Sequence, residues 1–174
     1  MRVLPALLVV WLGAAAEAAP LEPDGYRTEN YRAETPATLM GATVLTTTEA
    51  RALWEAKAAA FIDVLPQAPR PKNLPAEVVW RPAPREDIPG SIWLPDTGYG
   101  ELAPVMQDYL VAGLKKAGER TLVFYCQRNC WMSWNAARRA LALGFAHIDW
   151  YPDGVDGWRE AGLALEPREP EPRP

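Results

Sequence analysis

The stretch of sequence that decides the fold runs from Thr121 to Gly144 and reads TLVFYCQRNCWMSWNAARRALALG. Its first residues are apolar, aromatic or β-branched, which makes them the most strand-like run in the chain. After a polar turn, alanine and leucine recur at helical spacing until Gly144, a residue type that commonly ends helices. We take Ser133 as the N-cap of this helix. The stretch therefore predicts a strand, a loop and a helix in direct succession.

Short apolar strands and amphipathic helices alternate on both sides of this unit. Further strands are predicted at 43–45, 60–64, 91–94 and 148–151. One helix is predicted after the Thr46–Glu49 capping box and another over 102–114. The proline-rich segment 66–90 is predicted to form a long loop with a brief edge strand at 78–80. This alternation predicts an α/β fold, a parallel sheet with helices on both faces.

The chain divides into four predicted segments. Residues 1–18 are predicted to be a signal peptide, because a positive residue precedes an apolar run that ends in Ala-Glu-Ala. That run is shorter than the ~20 residues of a membrane-spanning helix, although an uncleaved anchor is an alternative. The mature protein is therefore expected in the bacterial periplasm, where disulfides are permitted. The other segments are an extended N-terminal arm at 19–42, one domain at 43–165 and a disordered Pro/Glu/Arg tail at 166–174.

Composition excludes several classes of function. The chain has 174 residues and a formal net charge of -4, whereas a protein that coats nucleic acid or anionic membrane needs a basic face. Its one histidine, His147, excludes a site built of several histidines, and its two cysteines exclude a four-cysteine zinc site. We expect no nucleic-acid partner, no resident metal or other cofactor, and no stable membrane insertion after signal cleavage.

The two cysteines, Cys126 and Cys130, lie in the turn between the strongest strand and its helix. In open α/β sheets, ligands bind beyond the carboxyl ends of strands and beside helix N-termini. Such an environment lowers the pKa of a thiol, so Cys126 is predicted to be a nucleophile near neutral pH. Inward-pointing backbone N–H groups and the helix dipole favour an anion there. The predicted cradle comprises Gln127, Arg128, Asn129, Trp131, Met132 and Ser133.

Four more residues are candidates for lining the site. Asp96 and Tyr99 belong to a turn-rich loop that follows a predicted strand. Asp63 ends another strand and also fits a structural role, hydrogen bonding to nearby loops. Trp134 follows the cysteine loop and also fits packing in the core.

Several short motifs of the chain resemble those of rhodanese-like domains. Val123–Gln127, with Ser133 and the helix that follows, resembles the active-site region of that family. Residues 126–137, CQRNCWMSWNAA, resemble more narrowly a subfamily of exported rhodanese-like proteins named for a Cys-to-Cys-Trp motif. That subfamily is associated with alcohol catabolism dependent on pyrroloquinoline quinone. Matching motifs also occur at Phe61–Val64, Ile88–Ile92 and Gly154–Trp158.

The resemblance implies a cysteine that carries sulfur. In rhodanese-like sulfurtransferases the loop cysteine attacks the sulfane sulfur of a donor such as thiosulfate and becomes a persulfide, which a thiophile then discharges. Carried over to this chain, Cys126 is the nucleophile. We add the hypothesis that Cys130 is its resolving partner.

This loop departs from the family pattern in ways that favour a redox role over simple thiosulfate:cyanide transfer. It places six residues rather than the usual five between Cys126 and the predicted cap. Trp131 or Met132 stands where the family often has arginine, which leaves Arg128 as the loop's only cation. Cys130 lies inside the loop, where a disulfide with Cys126 would cap the nucleophile.

The loop also has other interpretations. A cysteine phosphatase needs arginine six residues after its cysteine, and Met132 occupies that position. Two thiolates near Met132 suit Cu(I), but no histidine supports such a site. A purely structural disulfide between Cys126 and Cys130 is a further alternative, with the chain acting as a non-catalytic periplasmic binding module.

The expected partners follow from the interpretation of the chain as a rhodanese-like protein with a reactive cysteine pair. They are a small sulfur donor or a protein thiol, and proteins of periplasmic alcohol oxidation, the last implied only by the resemblance.

Overall fold

The computed structural model describes residues 19–82 and 84–173, so the predicted signal peptide lies outside the described residues. The strands are β1 Thr43–Val44, β2 Ala59–Asp63, β3 Arg85–Asp87, β4 Ile92–Trp93, β5 Thr121–Tyr125, β6 Ile148–Trp150 and β7 Glu166–Arg168. The helices are α1 Thr47–Glu55, α2 Pro104–Lys115, α3 Trp131–Ala142 and α4 Gly154–Glu160. Within the described ranges, no helix is long and apolar enough to cross a membrane.

Five of these strands form a parallel sheet in the order β1-β6-β5-β2-β4. Alternate residues of the central strands point to opposite faces, and helices cover both. Ile62 and Phe124 belong to a core with residues of α2 and α3, whereas Phe61 and Tyr125 belong to a core with residues of α1 and α4. The predicted α/β fold with a parallel sheet is thereby confirmed.

Helix α1 begins as the sequence predicts. The Thr46 side chain accepts the Glu49 backbone N–H at 3.3 Å, and the Glu49 carboxylate accepts the Thr46 backbone N–H at 2.8 Å. This reciprocal capping box satisfies two backbone donors that the helix itself leaves unpaired.

The arm of residues 19–42 packs along helix α3. Indole N–H groups of the helix donate to arm carbonyls, from Trp131 to Glu34 at 3.0 Å and from Trp134 to Thr38 at 3.1 Å. The Asn135 side chain bonds both the N–H and the carbonyl of Arg27, at 3.0 and 2.9 Å. The arm therefore covers the helix that starts at the cysteine loop.

The predictions for the tail and for the proline-rich loop need correction. Residues 166–168 form β7, which pairs antiparallel with β3 in a separate two-stranded sheet, so the tail is ordered. The Glu166 carboxylate accepts the Gly90 N–H at 2.9 Å, and the Glu171 N–H donates to the Trp93 carbonyl at 3.0 Å. The predicted edge strand at 78–80 is wrong. The strand of this region is Arg85–Asp87, because these are the residues that pair with β7 of the tail.

Candidate active site

The N-cap of helix α3 lies three residues earlier than the sequence predicts. The helix starts at Trp131, with Cys130 as the N-cap in extended conformation at φ -133° and ψ 111°. Ser133 is therefore not the cap. Its buried hydroxyl accepts the indole N–H of Trp150 from β6 at 3.0 Å and lies 3.3 Å from the Cys126 thiol. Tertiary partners thus hold the hydroxyl that would otherwise cap the helix.

Cys126 follows the last residue of β5 and is fully buried. Its sulfur lies 3.5 Å from the Cys130 carbonyl oxygen and 3.7 Å from the Gln127 carbonyl oxygen. Burial raises the pKa of the Cys126 thiol well above its ordinary value, and a hydrogen bond to Cys130 acts in the same direction. The predicted low pKa at Cys126 is therefore wrong, because the position excludes solvent.

Cys130 carries the ionisable thiol of the pair. The hydrogen bond from the Cys126 thiol lowers the pKa of Cys130 to about 7, against the opposing effect of burial. The Met132 backbone N–H and the Arg32 guanidinium lower this pKa further. Both cysteines are free thiols in the structure. The site thus pairs a protonated thiol with a neighbour that ionises near neutral pH.

Cys130 also faces a cavity of about 420 Å³ beside the cysteine loop. The arm and the loop after β2 supply most of the wall, and Cys126 does not line it. The lining residues are Asn30, Tyr31, Arg32, Leu65, Pro66, Tyr99, Cys130 and Met132. A small molecule in this cavity would meet Cys130 first.

The backbone N–H groups of the loop are largely used by the protein itself. The Arg128 N–H donates to the Asp156 carboxylate at 3.0 Å, and the Trp131 N–H donates to the Tyr31 carbonyl at 2.9 Å. The Met132 N–H bonds the Cys130 sulfur. The predicted anion cradle is therefore not an open ring of donors, because the arm and α4 occupy two of its members.

The cation of the site is an arm residue that the sequence gives no reason to select. Arg128 is bound instead to acidic residues of the α4 region, at 2.6 Å to Glu160 and 2.9 Å to Asp153. Arg32 lies beside Cys130, and its guanidinium faces the Gln127 side chain, whose amide oxygen accepts at 2.9 Å when turned toward it. No local pattern marks Arg32, because 94 residues or more separate it from the loop.

Of the next four candidates, Tyr99 lines the cavity, whereas Asp96, Trp134 and Asn129 do not. Tyr99 lines the cavity and stacks edge-on against Tyr31, with ring centroids 5.4 Å apart. Asp96 is paired with Arg173 instead. Trp134 is fully buried in the core. Asn129 is exposed and adopts a left-handed φ of 54° at the loop's bend.

Asp63 belongs to a buried charge cluster behind the cysteine loop. Its carboxylate accepts from Arg85 at 2.5 Å and from the Leu65 N–H at 2.8 Å. Arg85 also donates to the Cys126 carbonyl at 3.1 Å, so Asp63 positions the loop through Arg85. Burial raises the pKa of the adjacent Asp87 to about 9, and the negative charge of Asp63 adds to the shift. Sequence reasoning missed Arg85 and Asp87, which lie within the proline-rich loop.

Within residues 19–82 and 84–173, no group of three or more His, Cys, Asp or Glu side chains is arranged to hold a metal ion.

The chain is similar to one known protein family and to several solved structures. A family model described as a Rhodanese-like domain matches residues 46–161. No curated protein matches significantly. One similar solved structure is a protein of unknown function, a possible tyrosine phosphatase, from Rhodopseudomonas palustris. It is 23% identical with a TM-score of 0.44, and the match covers 72% of this chain and 85% of that one.

Two sulfur-transfer proteins are also similar in structure. Thiosulfate sulfurtransferase from Pseudomonas aeruginosa is 20% identical with a TM-score of 0.46, over 75% of this chain and 21% of that one. The chain thus spans about a fifth of that enzyme's length. The polysulfide-sulfur transferase homodimer from Wolinella succinogenes is 19% identical with a TM-score of 0.47, over 74% and 81% of the two chains.

Proposed function

The chain belongs to the rhodanese-like domain family, and on that premise we propose that it acts in sulfane-sulfur transfer or thiol redox chemistry through Cys126 and Cys130. The observation that carries this proposal is the thiol pair itself. Both cysteines are free thiols in the loop between β5 and α3, the Cys126 sulfur lies 3.5 Å from the Cys130 carbonyl oxygen, and the pKa of Cys130 is lowered to about 7. A cysteine with a purely structural role is buried and inert, whereas a thiol that ionises near neutral pH beside a cavity is typical of a reactive cysteine.

Both chemistries begin with the same step at this pair. A thiolate attacks divalent sulfur, either the outer sulfur of a sulfane donor or one sulfur of a disulfide. The first attack gives a persulfide and the second a mixed disulfide. In each case the second thiol is placed to attack the new bond and form a Cys126–Cys130 disulfide. A thiol pair with only three residues between its members supports such a resolving step.

The proposal is tested by single-turnover sulfur uptake. Reduced protein is mixed with thiosulfate or benzenethiosulfonate, and its intact mass and the released sulfide are measured. The wild type should gain the mass of one sulfur atom, or release sulfide while forming the Cys126–Cys130 disulfide. The double variant Cys126→Ser, Cys130→Ser should do neither. A wild type indistinguishable from the double variant with both donors would overturn the sulfur-transfer proposal.

The redox form of the proposal has its own measurement. A working dithiol pair should have a reduction potential more oxidising than about -300 mV, since stable structural disulfides lie below that value. A Cys126–Cys130 disulfide below that value, in a protein that also takes no sulfur, would favour the structural alternative.

We also propose that the protein is exported to the periplasm and serves quinone-dependent alcohol oxidation there. The apolar run before Ala18 and the resemblance of residues 126–137 support this placement. N-terminal sequencing of protein from the periplasmic fraction should start at Ala19. A strain without the protein should grow poorly on a primary alcohol and normally on the corresponding carboxylic acid. Recovery of the full chain from the cytoplasm would contradict the proposal of export. Unimpaired growth on the alcohol would contradict the proposed role in alcohol oxidation.

A further inference from the structure

We propose that Cys130, rather than Cys126, is the thiol that accepts sulfur from the donor, and that Arg32 of the arm holds the donor's anionic end. This inference rests on the proposed function and assigns its two thiols to distinct roles. It reverses the assignment that the resemblance implies, in which the first cysteine of the loop attacks. Three features of the structure carry it.

The first feature is access. Cys130 lines the cavity of about 420 Å³, and Cys126 does not. The Cys126 sulfur is enclosed by the Ser133 hydroxyl at 3.3 Å and the Cys130 carbonyl at 3.5 Å, and the residue is 0% exposed. A donor would need to displace the start of α3 to reach Cys126. Cys130 is itself only 2% exposed, but it belongs to the cavity wall, so the cavity is the route by which a donor would approach its sulfur.

The second feature is the polarity of the groups around each sulfur. Two carbonyl oxygens face Cys126, from Gln127 at 3.7 Å and Cys130 at 3.5 Å, and oxygen acceptors favour a protonated thiol. Donors lie beside Cys130 instead: Arg32 shares the cavity wall with it, and the Met132 N–H, the Arg32 guanidinium and the Cys126 thiol each lower its pKa. Donors stabilise a thiolate. The negative charge of the pair therefore belongs on Cys130.

The third feature is the cation. Within the described part of the chain, no carboxylate lies within salt-bridge distance of Arg32, whereas Arg128 is held by Asp153 and Glu160. Arg32 is exposed and lines the cavity beside Cys130. The Arg32 guanidinium contacts the Gln127 amide oxygen, which is neutral, so no carboxylate of the described residues neutralises its charge beside Cys130. That charge suits the sulfonyl oxygens of a sulfur donor, because guanidinium binds such oxyanions through paired N–H groups. The arm thus contributes a group that touches the donor.

The cavity also indicates the class of donor. Apart from Arg32 and Asn30, its wall is apolar or aromatic, from Tyr31, Leu65, Pro66, Tyr99 and Met132. One cation and an apolar wall fit an organic thiosulfonate, which has one negative charge and an apolar group. Inorganic thiosulfate has two charges and nothing to place against the apolar side.

The chemistry balances without another reactant. The Cys130 thiolate attacks the outer sulfur of the thiosulfonate, so a Cys130 S–S bond forms and the bond from that sulfur to the sulfonyl group breaks. The sulfinate leaves with the electron pair, and Cys130 holds a persulfide anion. Cys126 then attacks Cys130 Sγ and gives its proton to the departing sulfide. That second step oxidises the two cysteines to a disulfide and reduces the transferred sulfur to sulfide.

Single-cysteine variants test the assignment with benzenethiosulfonate as the probe. Cys126→Ser should accumulate a stable persulfide, mapped to Cys130 by peptide mass analysis, because nothing resolves it. Cys130→Ser should take up no sulfur. The opposite pattern, with uptake by Cys130→Ser and none by Cys126→Ser, would overturn the inference while leaving the proposed function standing. Failure of every form to take sulfur would instead overturn the sulfur-transfer form of the proposed function.

A second measurement does not depend on whether the variants fold. Wild-type protein is treated with one equivalent of iodoacetamide at neutral pH, and the label is mapped. It should lie on Cys130, and the labelled protein should take up no sulfur although Cys126 is still free. A label on Cys130 with undiminished uptake would contradict the assignment.

The role of Arg32 is tested against a matched loss of charge. Arg32→Gln should slow the uptake of sulfur by about tenfold, the effect of losing one charge-assisted contact. It should also raise the pH at which the rate of uptake is half-maximal. Arg51→Gln, at an exposed position of α1, removes the same charge far from the cavity. It should leave the rate of sulfur uptake and its pH dependence unchanged. Equal rates and pH profiles for Arg32→Gln and the wild type would overturn the role of Arg32. Uptake with thiosulfate faster than with benzenethiosulfonate would overturn the donor class.

Discussion

The Arg85 guanidinium donates to the backbone carbonyl of Cys126 at 3.1 Å, and it also binds the buried Asp63 at 2.5 Å. The start of the cysteine loop is thus tied to the carboxyl end of β2 and to β3. The same carbonyl oxygen accepts the Val155 N–H of α4 at 3.2 Å. Two donors, from Arg85 and from Val155, thus hold the backbone of Cys126 in place, which suits a resolving thiol that has to stay beside Cys130.

Replacement of Gly154 by alanine should loosen this arrangement. A Cβ at that position would lie 2.6 Å from the Cys126 carbonyl oxygen, and the backbone φ is +50°. Gly118→Ala is the matched control, because its φ of +66° carries the same backbone strain with nothing within 4 Å. Urea unfolding should show a loss of about 1–3 kcal/mol for the control and a larger loss for Gly154→Ala. Equal losses would mean that the contact with Cys126 does not constrain the loop.

Removal of the Asn135 side chain should release the arm from α3. It bonds the Arg27 backbone twice, at 3.0 and 2.9 Å, and the Gly98 carbonyl at 2.9 Å. Asn135→Ala leaves these three backbone groups without their side-chain partner and should lower the free energy of unfolding by roughly 1–3 kcal/mol. Limited proteolysis should then cut the arm faster. The exposed Gln107→Ala on α2 should change neither measurement, and an uncut arm in Asn135→Ala would show that other contacts hold it.

The buried carboxyl of Asp87 predicts how stability depends on pH. Its pKa is about 9 in the folded protein against an ordinary value of 3.8. Between these values the folded form keeps a proton that the unfolded chain has released, so this group makes stability fall as the pH rises from about 4 to about 9. Arg85, Asp63 and Tyr125 face this carboxyl, and Asp63 adds to the shift.

Asp87→Asn is therefore expected to flatten the fall in unfolding midpoint over that pH range. The amide mimics the protonated acid and never ionises. Glu86→Gln, at the exposed neighbouring position of β3, should leave the pH dependence as in the wild type. A steeper fall in Asp87→Asn than in the wild type would contradict a neutral Asp87.

Loss of the Trp131 indole should weaken the start of α3. Its N–H donates to the Glu34 carbonyl at 3.0 Å, and the ring stacks edge-on against Trp134 with centroids 5.4 Å apart. Trp131→Phe keeps an aromatic ring and should cost at least about 1 kcal/mol, the typical net value of one hydrogen bond, because the smaller ring also leaves space at a buried position. Thermal unfolding measures the cost, and a variant as stable as the wild type would mean that the bond to the arm is dispensable.

Local signals predicted the elements that depend on neighbouring residues, and distant contacts account for the others. The capping box at Thr46 and the strand at Thr121–Tyr125 were predictable, because spacing and residue type alone specify them. The cap at Ser133 was not, since Trp150 holds its hydroxyl from another strand. Strand β7 depends on a partner at Arg85–Asp87, far earlier in the chain.

The same distinction applies to the site. The position of the cysteine pair follows from the strand–loop–helix pattern. The division of roles does not, because it depends on which sulfur the fold buries and on an arginine from the arm. A turn sequence rich in polar residues gives no measure of burial, and burial decides which thiol ionises.

The pH dependence of alkylation, measured separately at each cysteine, tests the central claim most directly. Reduced wild-type protein is pulsed with iodoacetamide from acidic to alkaline pH, and each thiol is quantified by peptide mass analysis. The account predicts that Cys130 reacts first, with a half-maximal rate near pH 7, while Cys126 is labelled only at much higher pH. Labelling of Cys126 before Cys130, or of both only near the pH of an ordinary thiol, would contradict it.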